Sequence, residues 1–70
     1  MKSLKDIYIV LDQLIEITIL TYELHNKDLN KTKEWLNTKN PIYFNETPLN
    51  YIMSGRGNSV LEKQKELLRI

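Results

Sequence analysis

Gly55-Arg56-Gly57 is the first stretch in this chain whose residue types could do chemistry. Gly-x-Gly invites phosphate binding, but phosphate loops join a strand to a helix and carry a longer glycine pattern. The flanks here read as helical, so the spacing predicts an interhelical turn that holds Arg56 out in solvent. Upstream, Ile42-Tyr43-Phe44 puts three large apolar or aromatic side chains in a row. Two are expected to plug a gap between helices, leaving the third for a partner, which aromatic residues anchor well. His25 is the single histidine and has no second residue with which to build a triad or a ligand set. It is expected to be a surface residue at a helix end. With no cysteine, the chain has no disulfide, no thiolate metal site and no Cys nucleophile. The carboxylates fall on solvent faces beside lysines. The expectation is no catalytic residue, no metal site, no cofactor and no enzyme activity.

The glycine pair and the aromatic row lie in the stretch 35–60, which carries the only Trp, the only Phe, both prolines and both glycines. Trp35-Leu36 can close a short helix against a core, and Trp35 is expected at the centre of the fold. Asn40-Pro41 breaks the chain. Thr47-Pro48 restarts it, with Thr as N-cap and Pro at the first helical position. Gly55 supplies a positive φ after that helix, which should span about 48–54. Ser59-x-x-Glu62 reads as a capping box opening a last helix over 60–70, with Val60, Leu61, Gln64, Leu67 and Leu68 on one side.

Before this stretch, Ser3-x-x-Asp6 reads as a capping box for a long first helix. Leu4, Ile7, Tyr8, Val10, Leu11, Leu14, Ile15, Ile17, Thr18, Thr21 and Tyr22 form an apolar arc of roughly 200°, about twice what one surface helix needs. Ile9 and Leu20 lie beyond that arc, beside a polar strip. A strand is the rival reading, because 15–19 alternates and is rich in β-branched residues. The charged stripe sustained over twenty residues without Gly or Pro favours helix. Asp28 is a good N-cap for a second helix over 29–36, whose inner face would be Leu29, Thr32, Trp35 and Leu36. The fold class predicted is all-α, a small bundle of about four helices: one long, two short and one C-terminal. Residues 1–70 form a single domain.

Seventy residues bury only about 60% of the unfolded surface, so the core is marginal and a partner chain is the natural support. The surplus on the first helix predicts a homo-oligomer, with Ile9 and Leu20 as self-association residues. Ten basic and nine acidic residues are interspersed, for a net charge of +1. A nucleic-acid binder gathers basic excess on one face, so direct nucleic-acid binding is not expected. Asp12, Glu16 and Glu23 interrupt the apolar run of the first helix and argue against a membrane span. No signal peptide is visible, and a cytoplasmic location is expected.

The ordered set Trp35-Leu36, Asn40-Pro41, Pro48-Leu49, Tyr51-Ile52, Gly55-Arg56 and Val60-Leu61 resembles the toxin-binding domain of the Xre/MbcA/ParS-like antitoxins. With its preceding helix the resemblance covers most of the chain. The family usually has glycine and a small residue where this chain has Asn45 and Phe44, and a small residue where it has Thr32. Asn tolerates the left-handed conformation that a glycine position demands. The resemblance implies an antitoxin that neutralises a neighbouring toxin, often a RES-type enzyme that consumes NAD, by direct contact from its C-terminal part. The usual helix-turn-helix has no room here, because the first helix already belongs to the toxin-binding unit. The partner-binding residues expected are Tyr43 or Phe44, Arg56, and the C-terminal helix through Leu68 and Ile70. The alternative is a small helical adaptor or inhibitor from a mobile element that binds an unrelated protein.

Overall fold

The computed structural model describes residues 3–69, and what it describes is all-α. Helix α1 spans Leu4–Leu24, α2 Leu29–Asn37, α3 Pro48–Tyr51 and α4 Gly57–Leu68. The first three starts each have a local chemical cause. The Ser3 hydroxyl accepts from the Asp6 backbone N–H at 3.3 Å while the Ser3 N–H donates to Asp6 Oδ2 at 3.4 Å, the reciprocal box expected from the sequence. Asp28 Oδ1 accepts from the Lys31 N–H at 3.0 Å at the start of α2, and Thr47 Oγ1 from the Asn50 N–H at 3.1 Å at the start of α3. Between α1 and α2 the chain reverses through Asn26 and Lys27, both with positive φ.

The connection from α2 to α3 is a closed loop. Asn40 Oδ1 accepts from the Ile42 N–H at 3.0 Å and opens a single 3-10 turn, Pro41–Tyr43. Phe44 and Asn45 follow with φ of 57° and 62°. The Asn40 N–H then donates to the Glu46 carbonyl at 3.1 Å, and Asn45 N–H to the Asn40 carbonyl at 3.1 Å, which ties the loop's two ends together.

The core sits where α1 crosses α4 and the turn before it. Ile17, Ile52 and Val60 are fully enclosed, with Tyr43 and Leu61 beside them. Leu14, Leu20, Trp35, Leu36 and Tyr51 pack around that centre, each partly buried. The hydroxyls of the buried threonines are satisfied, as an apolar interior requires. Thr32 Oγ1 donates to the Asp28 carbonyl at 2.9 Å. Thr21 Oγ1 donates to the Ile17 carbonyl at 2.7 Å and accepts from Gln64 Nε2 at 2.8 Å, so one buried hydroxyl stitches α1 to α4.

Three expectations change. Trp35 is half-buried at the rim rather than central: its ring meets the edge of Tyr43 at 6.4 Å and 86°, outside the Ile17–Ile52–Val60 centre. Leu29 is exposed, which leaves Thr32 as the fully buried residue of α2. The last helix starts at Gly57, three residues before the sequence suggested. A wide helical turn, Ile52–Arg56, runs from α3 almost directly into α4. Gly55, at φ 91° and ψ 11°, absorbs the kink. Ser59 therefore lies inside α4, and its hydroxyl donates to the Arg56 carbonyl at 3.1 Å instead of capping a new helix.

The two glycines differ accordingly. A Cβ at residue 55 would be forced into left-handed backbone, at a cost of about 1–2 kcal/mol. Gly57 has an ordinary helical φ of −64°. A Cβ there would meet Gln13 Oε1 at 2.6 Å and Ile52 Cγ2 at 3.3 Å. The Gln13 amide is a flexible end that can swing aside, and Ala gains up to about 1 kcal/mol of helix propensity over Gly. Gly55→Ala is thus expected to lower Tm by roughly 4–15 °C at this chain length, and Gly57→Ala by clearly less. Thermal melts of the two variants check the order; equal Tm values would contradict it.

Candidate protein-binding face

The side chains singled out for chemistry converge on one ring, Tyr51. The last residue of α3 is half-buried and touches Tyr43 at 5.1 Å between centroids, tilted by 37°. Phe44 stacks near it at 6.4 Å and 27°. The Arg56 guanidinium carbon lies 4.1 Å from the Tyr51 ring centroid, within cation–π range. The same guanidinium donates from Nη2 to Glu46 Oε2 at 2.7 Å and from Nε to Ser54 Oγ at 2.7 Å. Arg56 is exposed as expected, yet its hydrogen bonds turn inward: it clasps the 40–46 loop against the turn before α4. An exposed ion pair of this kind contributes only about 0–1 kcal/mol, so its effect is on the loop's shape more than on stability.

The aromatic row divides differently from the expectation. Only Tyr43 goes inward, as the last residue of the 3-10 turn. Burial pushes its phenol above the usual 10.0, and nearby Tyr51 pushes in the same direction. Ile42 is 64% exposed and Phe44 77%. The turn decides this: two successive left-handed residues leave Phe44 on the outside of the bend. Phe44 therefore combines a large exposed aromatic with backbone that a β-carbon disfavours.

The other expected partner residues do not join this face. Leu68 closes the far end of α4, twelve residues after Arg56, a rise of roughly 18 Å. Ile70 lies outside the described residues. On α1, Ile9 is exposed while Leu20 packs partly against the core. His25 caps the C-terminus of α1, half-buried, with an Nδ1 that has no hydrogen-bond partner. It borders an open hollow of about 370 Å³ whose walls mix Lys31 and Lys39 with Glu34 and Trp35. Among the described residues no three His, Asp or Glu side chains gather as a cation site.

Glu46 and Tyr51 were missed in the sequence. Their signal exists only once the wide turn is known, because it brings Arg56 back over a residue five positions earlier.

Compared with protein-family models, curated proteins and solved structures, the chain has no match. No described helix is long and apolar enough to cross a membrane. The geometry is that of an outward aromatic on a closed loop, set beside a ring and an arginine.

Proposed function

We propose that this chain is a protein-binding module that docks a partner through the Phe44 face. We further propose that the partner is a cytoplasmic toxin, a RES-type NAD-consuming enzyme as the sequence resemblance implies, neutralised by direct contact. The observation that carries the docking face is Phe44 itself. Left-handed backbone costs a non-glycine residue about 1–2 kcal/mol, and an aromatic ring 77% in solvent returns little of that in the free chain. Such outliers concentrate at functional positions. An exposed aromatic beside an arginine is also the pairing in which interface energy concentrates, at about 2 kcal/mol or more per anchor.

Phe44→Gly separates binding from folding. It removes the backbone cost together with the small return from a mostly exposed ring, while the extra unfolded-state freedom of glycine costs about 0.4–1 kcal/mol, so the effects on Tm nearly cancel. Binding should be lost. The experiment is co-expression with a growth-arresting RES-type toxin: wild type restores growth and Phe44→Gly does not, with both melting within a few degrees of each other. Full rescue by folded Phe44→Gly would remove Phe44 from the interface. Wild type that fails to rescue would remove the toxin and favour the adaptor reading.

A further inference from the structure

We propose that the outer face of α1 is a dimer seam, filled by the same face of a second copy of this chain. The inner face is already committed, since Val10, Ile17 and Thr21 are its buried residues. A second apolar stripe is left over. Leu4, Ile7, Tyr8, Leu11, Ile15 and Ile19 are all exposed, at 41–66%. A helix covering only its own core has no use for it, because one stripe of about 100° suffices.

The spacing of the leftover stripe says what fits it. Leu4, Tyr8, Leu11 and Ile15 are separated alternately by four and three residues, and the half-buried Thr18 and Tyr22 continue the spacing. That is the 3.5-residue repeat of a coiled-coil seam, held by exposed residues over about one and a half heptads, with Ile15 at an a position and Leu4 and Leu11 at d positions. A straight helix drifts by about 20° per heptad from such a repeat, so the pattern matches a partner helix that carries it too. A second copy does. Ile7, Val10, Leu11 and Met53 also border a shallow apolar hollow of about 80 Å³ beside the seam, a hole for a partner's side chain.

The area agrees. With Met53 added, seven large side chains of which roughly half the surface is free, each at most on the scale of 200 Å², offer up to about 700 Å². That lies within what one partner contributes to a standard interface. Charge excludes the other common users of an apolar helix face. Helix α1 carries Lys5 against Asp6, Asp12, Glu16 and Glu23, which repels anionic lipid and nucleic acid. The self-association residues expected from the sequence shift as a result. Leu20 is spent partly on the core, and Ile9 lies across the charged strip from the seam. The seam shares no residue with the Phe44 face, so either can fail without the other.

Ile15→Glu tests the seam, since Ile15 is exposed in the single chain and its loss leaves the core intact. Sedimentation across the micromolar range should find wild type and Ile9→Glu dimeric. Ile15→Glu and, independently, Leu4→Glu should dissociate at least roughly 100-fold more readily with unchanged helical circular dichroism. A wild-type chain that stays monomeric at high micromolar concentration overturns the proposal. So does a folded Ile15→Glu that dimerises as wild type does, or an Ile9→Glu that falls apart.

Discussion

Ile52→Ala is expected to leave a chain without a cooperative thermal transition at room temperature and above. Ile52 is 0% exposed and sits in the wide turn that joins α3 to α4, packed with Ile17 and Val60. Truncating a buried Ile to Ala costs about 2–5 kcal/mol, rising with the cavity that stays open. A single core below about 70–80 residues rarely supplies more than about 3–5 kcal/mol. The loss is therefore comparable with the whole stability. Trp35→Ala makes the contrast. A fully buried Trp would cost about 3–5 kcal/mol, but the half-buried ring at the rim returns part of that on exposure, so this variant should keep a broad, lowered transition. Circular dichroism melts of both decide the ranking. A folded Ile52→Ala beside an unfolded Trp35→Ala would put the centre of the fold back at the tryptophan.

Tyr43→Ala is the second large effect, and Tyr43→Phe the small one that explains it. The Tyr43 ring is the plug under the loop, wedged between Trp35 and Tyr51. Removing it costs about 3–5 kcal/mol, as for other buried aromatics, and takes away the support of Phe44 as well. Fold and partner binding should fall together, unlike in Phe44→Gly. Tyr43→Phe keeps the packing and loses only the hydroxyl, whose pKa is raised above 10.0 first by burial and then by Tyr51. A raised folded-state pKa means the folded chain holds its proton more tightly than the unfolded one. The favourable difference is fully present below the unfolded pKa, near 10. It is lost as pH rises from the unfolded value through the folded one, because over that window the unfolded chain has released a proton that the folded chain still keeps. Stability of wild type should then drop more steeply above pH 10 than that of Tyr43→Phe, while their neutral-pH melts stay close. Parallel alkaline curves would show that this phenol does not titrate with folding.

The local punctuation of the chain was legible in its sequence. Ser3 with Asp6, Asp28, Thr47 with Pro48, and Gly55 all act where predicted, because a cap or a positive φ depends on atoms within a few residues. The all-α class followed from the same signals. The loop that carries Tyr43 and Phe44 was also found, since large aromatics between two breakers have few uses. What each of them does there was decided by tertiary structure. Ile42, Tyr43 and Phe44 look alike in a row, and only the 3-10 turn with two left-handed residues behind it sends Tyr43 in and Phe44 out. Arg56 meets Glu46 across ten positions, and Gln64 meets Thr21 across forty-three. Periodicity along α1 revealed a surplus of apolar surface but not its side. Val10, Ile17 and Thr21 became the core face because α4 and the wide turn arrive there, leaving Leu4, Tyr8, Leu11 and Ile15 in solvent. Hydrophobicity has no direction of its own, and a residue's burial is fixed by whichever distant element comes to cover it.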